Sequence, residues 1–494
     1  MKKLFLFAVL SILALPSIMK AQDLKFMRSS IYTVLVNSDE QNTRLDKEAL
    51  ETDSAGYFET LKQSGLQNLG SLPKQVFPTI AIPEQFYDHN LDIRVLDFDN
   101  LASGISEDEA KKARPSGGGT SNFFKALGGV ALAVASDDTT STMLRIEKVD
   151  YFMHAVVNKF LTDNKVADLM VAKWYNYNPE TQPHFNHYTI TERGLYNASA
   201  TDLAQASVDD NFKAMLSSQG FELLNNTFVV ATNLRFRNNK AVAKEISDIA
   251  GTAATVASSK LGGLGQLAAG FGAKKGAEAL TNALMKDMYS VTAVTNLYKL
   301  DWNEDIDMAL SDKVLYNENA TLQDLLDAGL CKLTYIGQTK ARSGVKKDKT
   351  KTLDQLTASA TARAIDKALA KLQVENEVFR TTVPISKSEE GFIYAKIGSK
   401  EGLSAGDEYE ILEQQIDPET KKISYKKVGS AKAEKGGVWF NTIGADEIIA
   451  AADEKDAEMM KAAQALGYSK FKAGKKDYSG YYLRLTKKKD KIED

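Results

Sequence analysis

Gly402-Leu403-Ser404-Ala405-Gly406 has the spacing of a nucleophile elbow, in which a serine hydroxyl is raised on a sharp strand-to-helix turn to attack an acyl carbon. That chemistry needs an acid and then a histidine later in the chain. No histidine follows His187, and residues after the pattern read as strand, so the expectation is a plain turn. His184-Phe185-Asn186-His187 is the one closely spaced histidine pair. Two imidazoles three residues apart can share a metal on a helix, but Pro179 and Pro183 argue for a loop or strand, and a surface pair in a loop is expected. Asp301, Glu304, Asp305 and Asp307 surround Trp302 and offer hard oxygen ligands. The calcium-loop spacing and its glycine are absent, so they read as a solvated acidic turn. Gly263-x-Gly265-x-x-Ala268 mimics a dinucleotide fingerprint but follows the polar Ser258-Ser259-Lys260 rather than an apolar strand, and it is rejected. Trp174-Tyr175-Asn176-Tyr177-Asn178 would suit stacking on a glycan, yet Trp174 reads first as a core anchor. Cys331, the sole cysteine, is expected buried and inert in an apolar strand. These readings assign no catalytic, cofactor-binding or metal-ligating residue and call for no cofactor.

The elements that must position these groups read as α+β. Strands are expected at Ile31–Val36, Asp92–Phe98, Asp168–Tyr175, His187–Thr191, Asn226–Thr232, Tyr289–Leu300 and Cys331–Gly337. Helices are expected at Val149–Leu161, from the loose capping box Ser199/Asp202 through Met215, and at Thr321–Ala328. Gln338 to Lys351 carries six basic residues against Asp348 and reads as an exposed connector. A long helix over Leu353–Phe379 shows Ala358, Ala362, Ile365, Leu369, Leu372 and Phe379 at three-and-four spacing. Beyond it, Phe392–Ile397, Glu408–Glu413, Lys426–Ala433, Val438–Phe440 and Tyr481–Leu485 form short strands around turns, with a helical insertion at Ala445–Leu466, which suggests a small barrel.

The N-terminus indicates where the protein works. Met1-Lys2-Lys3, the apolar run Leu4 to Pro16 and a small residue before Gln22 describe a secretory signal peptide, cleaved near Ala21-Gln22. No cysteine stands there to be acylated. Cleavage takes Lys2, Lys3 and Lys20, moving the net charge from −3 to −6, which gives no reason to expect a nucleic acid as partner. A single thiol forms no internal disulfide, so stability must come from packed cores. Two segments are rich in small residues, Phe123–Ala135 and Ala250–Met285, the latter with 17 Ala or Gly in 36 positions. Neither reaches the roughly 18–20 apolar residues of a spanning helix, so no transmembrane helix is expected. Asp53-Ser54-Ala55 and Asp138-Thr139-Thr140 match a short sequon that would place O-glycans on Ser54 and Thr139.

The boundaries follow: a signal peptide over 1–21, an N-terminal α+β segment over 22–115 and a central α/β domain with Gly/Ala-rich insertions over 116–337. A basic linker over 338–352, a long helix over 353–383 and a C-terminal β domain over 384–494 complete the chain. The series of a helix, a strand, Glu401-Gly402-Leu403-x-x-Gly406-Asp407, a strand, the Asp417-Pro418 turn and the Val428-Gly429 strand resembles the small C-terminal β-barrel of flagellar-assembly and curli-secretion-type envelope proteins. The cleavage type and Arg193-Gly194-Leu195-Tyr196-Asn197-Ala198 resemble uncharacterised exported proteins of Bacteroidetes. Neither resemblance implies an activity. The expectation is an exported, non-enzymatic cell-envelope protein, periplasmic or outer-membrane associated, acting as a structural or binding component with an envelope partner. The alternatives are a subunit of an outer-membrane secretion or pore assembly, with the small-residue segments facing the membrane, and, least favoured, an exported hydrolase.

Overall fold

The structure, a computed structural model, describes residues 29–38, 71–106, 153–197, 212–238, 289–345, 353–417, 419, 423–451 and 453–488. The signal peptide, Ser54, Thr139, the segments 123–135 and 250–285, the glycine pattern at 263–268 and the Ser199/Asp202 box lie outside the described residues. Among the described residues no helix is long and apolar enough to cross a membrane.

The strand β1 (Ser29–Asn37) is buried along nearly its whole length, as its continuous β-branched and aromatic run requires of a strand covered on both faces. Helix α1 (Ser71–Val76) and a 3-10 turn at Phe77–Thr79 lead to two short strands, β2 (Phe86–Asp88) and β3 (Val95–Asp97), which pair in parallel with the two ends of β1. Between them the ladder is completed by side chains. Asn90 Oδ1 accepts from Thr33 N at 2.7 Å, and Arg94 Nε donates to Thr33 O at 3.0 Å. Helix α2 (Phe98–Ser103) then opens on Asp97, whose carboxylate accepts from Asn100 N. The single strand expected at Asp92–Phe98 is therefore confined to Val95–Asp97, its C-terminal end set by Asp97 as the cap of α2.

The other edge of β1 pairs in parallel with β4 (Thr227–Asn238), followed antiparallel by β5 (Tyr289–Asp301) and β6 (Lys332–Val345). The result is a mixed sheet in the order β2/β3, β1, β4, β5, β6. One face buries Tyr32, Val34, Val36, Val229, Ala231, Val294 and Tyr298 under helix α3 (153–163), through Met153, Val156, Val157 and Phe160. Helices α4 (Val166–Trp174), α5 (Tyr188–Asn197), α6 (Phe212–Asn225), α7 (Glu304–Leu310) and α8 (Leu322–Ala328) belong to this side of the chain and share a further core around Trp174, Leu223, Leu224 and Trp302. The long helix α9 (Leu353–Glu375) covers the opposite face. Its Ala360, Ala364 and Ala368 recur every four residues and let its backbone approach Leu35, Leu234, Val291, Ala293 and Ala341. The helix ends at Glu375, short of the expected Phe379, which sits on a 3-10 turn (Glu377–Phe379) after the extended Asn376; Leu369, Leu372 and Phe379 continue the contact onto Ile31, Phe228 and Val230.

Three expectations need correction here. Asp168–Tyr175 is helix α4, not a strand: Val166, Ala167, Met170, Val171 and Trp174 are buried at helical spacing, which a short window within the run conceals. His187 is a turn residue and Tyr188–Thr191 open helix α5, with Asn186 Oδ1 accepting from Tyr188 N, so local capping overrides the β-branched Thr-Ile-Thr. Gln338–Val345, read as an exposed basic connector, extends β6. Thr339, Ala341 and Ser343 alternate into the interior, while α9 holds the strand through Lys371 Nζ to Lys340 O at 2.9 Å and Lys367 Nζ to Arg342 O at 3.3 Å. Residues 346–352 lie outside the described residues.

After α9 the chain forms a closed, six-stranded antiparallel barrel from β7 (Thr382–Glu389), β8 (Phe392–Ala395), β9 (Glu408–Ile416), β10 (Ile423–Ala433), β11 (Ser469–Lys472) and β12 (Tyr482–Lys487), ordered β10, β11, β8, β7, β12, β9. Closure removes the exposed edges that short strands otherwise leave. The β7–β8 hairpin turns on Glu390 and Gly391, both at positive φ (47° and 86°), the geometry of a two-residue turn matched to strand twist. Helices α10 (Ala445–Ala451) and α11 (Glu454–Leu466) interrupt the barrel between β10 and β11. Val438–Phe440, expected as a strand, contributes only an isolated bridge from Trp439 to Gly398. The barrel is filled by Val383, Ile385, Ile393, Tyr409, Ile411, Phe471 and Leu483. Just after β12, Lys488 Nζ reaches the fully buried Asp407 at 2.6 Å and the Ser404 hydroxyl at 2.8 Å.

Candidate functional site

Perturbed carboxyl groups gather where the barrel meets α9. Asp366 lies on the buried face of α9, 4% exposed, one turn from Ala362 and Leu369. Lys400 comes from the barrel, on the 3-10 turn Ser399–Glu401. Its ammonium donates to Ala81 O at 3.0 Å and stands 3.8 Å from Asp366 Oδ1, so one side chain joins the barrel, the helix and the loop before β2. Lys396 reinforces the junction, with its ammonium on Glu84 at 2.6 Å and its carbonyl accepting from Gln85 Nε2 at 2.5 Å. Arg363 Nε donates to Ile443 O at 3.2 Å.

Asp366 also lines a cavity of about 30 Å³ with Thr33, Thr232, Thr295, Phe77 and Ile365. Its Oδ2 has no hydrogen-bond partner among the described residues. A volume of this size is that of about one water molecule, too small for an organic substrate. Burial pushes Asp366 up to about 6 against the opposing pull of Lys400. Next to Lys400, Glu401 is buried as well and accepts from Gly398 N at 2.6 Å and Asn441 Nδ2 at 3.1 Å; burial pushes it up to about 7. The chemistry available is proton uptake and ionic anchoring at a domain junction.

The sign of the pH dependence follows. Both groups have folded-state pKa values above their ordinary 3.8 and 4.5, so they contribute most stability below about pH 4. That contribution is lost as pH rises through about 6 for Asp366 and about 7 for Glu401. Asp366→Asn cannot ionise, so its urea midpoint relative to the unsubstituted chain is expected to rise between pH 5 and pH 8. A difference that stays flat or falls over that interval contradicts the burial account.

The groups singled out from sequence fall elsewhere. Ser404 lies in a turn between the positive-φ glycines Gly402 and Gly406, leading from a 3-10 turn into β9, with its N donating to Asp407 Oδ2 at 2.7 Å. His184 is exposed in the loop before α5, and His187 packs its ring on Tyr188 and Tyr316. Asn303 caps α7, so Glu304, Asp305 and Asp307 occupy the first turn of a helix, and Asp307 Oδ1 accepts from Tyr175 Oη at 2.9 Å. Trp174 is a fully buried anchor, as expected. Cys331 is half-buried one residue before β6; burial and the neighbouring Asp168 push its thiol pKa up. The other two histidines are locked into the body. His89 Nε2 donates to Met170 O at 2.9 Å and its ring stacks on Trp174 at 4.7 Å, its pKa pushed down to about 3 by burial. His154 bonds Tyr298 Oη at 2.9 Å and is pushed down to about 4.

Asp366, Lys400 and Glu401 escape sequence reasoning. The one legible sign is an acid at position 366, on the same helical stripe as Ala362 and Leu369. Compared with known protein families and with curated proteins, the chain matches none.

Proposed function

We propose that this chain is an exported, non-enzymatic component of the bacterial cell envelope that works by binding or by structural support. The observation that carries the reading is the N-terminal sequence, with its two lysines, short apolar run and Ala21-Gln22 junction. Two features support it. The barrel docked on a long helix is the part of the chain whose motifs resemble barrels of envelope-assembly proteins. Among the described residues, three groups with reactive side chains are engaged in structural work: Ser404 with Lys488, His89 with Trp174, and His154 with Tyr298. On this reading the mature protein works in the periplasm or at the outer membrane.

Fractionation of the producing cell tests this. The expected product begins at Gln22 and appears in the periplasmic or envelope fraction, released from membranes by carbonate. A full-length chain retaining Met1 in the cytoplasm overturns the reading. The second reading, a subunit of an outer-membrane secretion or pore assembly, draws on the 17 Ala and Gly residues of 250–285. It expects carbonate-resistant association that is lost when 123–135 and 250–285 are deleted.

A further inference from the structure

The exposed apolar side chains of the α/β body include Tyr188 (68% exposed), Tyr316 (56%) and Met308 (69%). Tyr188 and Tyr316 are joined by His187. Its ring centroid lies 4.0 Å from that of Tyr188 and 4.3 Å from that of Tyr316, with interplanar angles of 36° and 30°. Stacking of this kind fixes ring orientation before any ligand arrives and reduces the rotamer freedom lost on binding. Neither tyrosine ring is needed to fill a core, since each leaves more than half its surface in solvent.

The electrostatic setting is one-sided. Asn303 to Glu318, the segment carrying Met308 and Tyr316, has five carboxylates and one ammonium, Lys313. Asp307 accepts from the buried Tyr175 hydroxyl at 2.9 Å, and burial, reinforced by the Asp307 charge, raises the Tyr316 hydroxyl pKa. Aromatic faces carry negative potential, and a carboxylate beside them adds to it, so the pair favours a cation. A neutral sugar could stack on the same rings but would gain nothing from the charge excess. A guanidinium gains from both, because it is planar and weakly hydrated.

We infer that Tyr188, His187, Tyr316 and Asp307 form a docking surface for an arginine- or lysine-bearing segment of a partner protein, the cation lying on an exposed tyrosine face beside the Asp307 carboxylate. The inference deepens the reading of this chain as a binding component and rests on it, but does not depend on export.

Fluorescence anisotropy of a labelled hexa-arginine peptide with the full chain tests it, with hexaglutamate and soluble peptidoglycan fragments as further probes. Binding is expected for hexa-arginine alone and should weaken with added salt. Tyr188→Ala and Tyr316→Ala should each weaken it about two- to fivefold, and together roughly tenfold, from the worth of exposed cation–π contacts. Asp307→Asn, which keeps an acceptor for Tyr175, should weaken it too. Tyr188→Phe and Tyr316→Phe should retain it, since the ring and not the hydroxyl makes the contact. Tyr316→Lys should abolish it while leaving the urea midpoint close to that of the unsubstituted chain, as expected at an exposed site. Equal hexa-arginine affinity in the Tyr188→Ala/Tyr316→Ala double variant overturns the inference in favour of diffuse attraction to an acidic surface. Peptidoglycan binding that the double variant loses, without hexa-arginine binding, assigns the rings to a glycan and overturns it as well. Neither result bears on the N-terminus found by fractionation, so the two readings fail separately.

Discussion

Trp174→Ala is expected to destabilise the protein by about 3–5 kcal/mol, enough to consume much of the stability of an ordinary domain. The indole is fully buried at the C-terminal end of α4, and its loss would open a cavity among side chains that depend on it. Its Nε1–H donates to Thr227 Oγ1 at 3.0 Å, and the same oxygen accepts from the Ser30 hydroxyl at 2.8 Å, so the ring fastens α4 to the β1–β4 pair. His89 stacks on it at 4.7 Å and Tyr87 at 5.4 Å, while the Arg193 guanidinium lies 4.7 Å from its ring. Arg193 would keep its bonds to Trp174 O and Lys173 O, which are backbone, but lose the aromatic face that shields it. His89 supplies a second readout. Burial holds its pKa down at about 3, and water entering the vacated space would raise it. Urea titration measures the first effect and NMR titration of the imidazole the second. Trp174→Phe should recover part of the stability but not the bond to Thr227. Trp174→Ala unfolding at the same urea concentration as the unsubstituted chain would show that the indole anchors nothing.

Gly220→Ala is expected to cost about 3 kcal/mol or more, above the usual range for a single added methyl. A Cβ at position 220 of α6 would stand 1.9 Å from the carbonyl oxygen of Ile190 and 2.8 Å from its carbon. Those are backbone atoms of α5, so no rotamer change makes room and the two helices would have to move apart. The control distinguishes backbone from side-chain crowding. Ile190→Ala leaves the carbonyl in place, so the double variant should stay as unstable as the effects of its parts predict. Relief of the defect by Ile190→Ala would mean that the side chain was the obstacle. Circular dichroism with urea titration reads both. Gly467, where a Cβ would meet nothing within 4 Å but φ is +67°, offers the contrasting case of a backbone constraint without crowding.

What the sequence makes legible here depends on how far a pattern extends beyond the window in which it is read. Ile31–Val36 and Tyr289–Leu300 are long β-branched runs, and both are strands buried at the centre of the sheet. The α9 stripe of Ala362, Leu369 and Leu372 is visible because helical spacing repeats over many turns. Asp168–Tyr175 is too short to separate the two periods, and only Val166 and Ala167, just outside it, reveal the helix. In Gln338–Val345 the lysine and arginine side chains obscure the small inward residues between them. The junction at Asp366 is the least legible feature. Its partner Lys400 is brought to it by the docking of the barrel, a contact between residues that no local pattern relates. The Tyr188–His187–Tyr316 surface has the same origin, since α5 and the turn after α7 meet only in the fold.

The barrel ring has its own chronology. β12, the strand that lies between β7 and β9, is the last of the six to leave the ribosome. Until it arrives, β7 and β9 each present an open flank, and Asp407 waits for Lys488. The large sheet is delayed in the same way, because β1 must wait for β4, with Ser30 finding Thr227 197 positions later. Contacts of such separation form slowly, since a long loop must close before either strand gains its partner. A nascent chain of this order can complete neither sheet early, so the flanks of β1, β7 and β9 wait for partners made much later in synthesis.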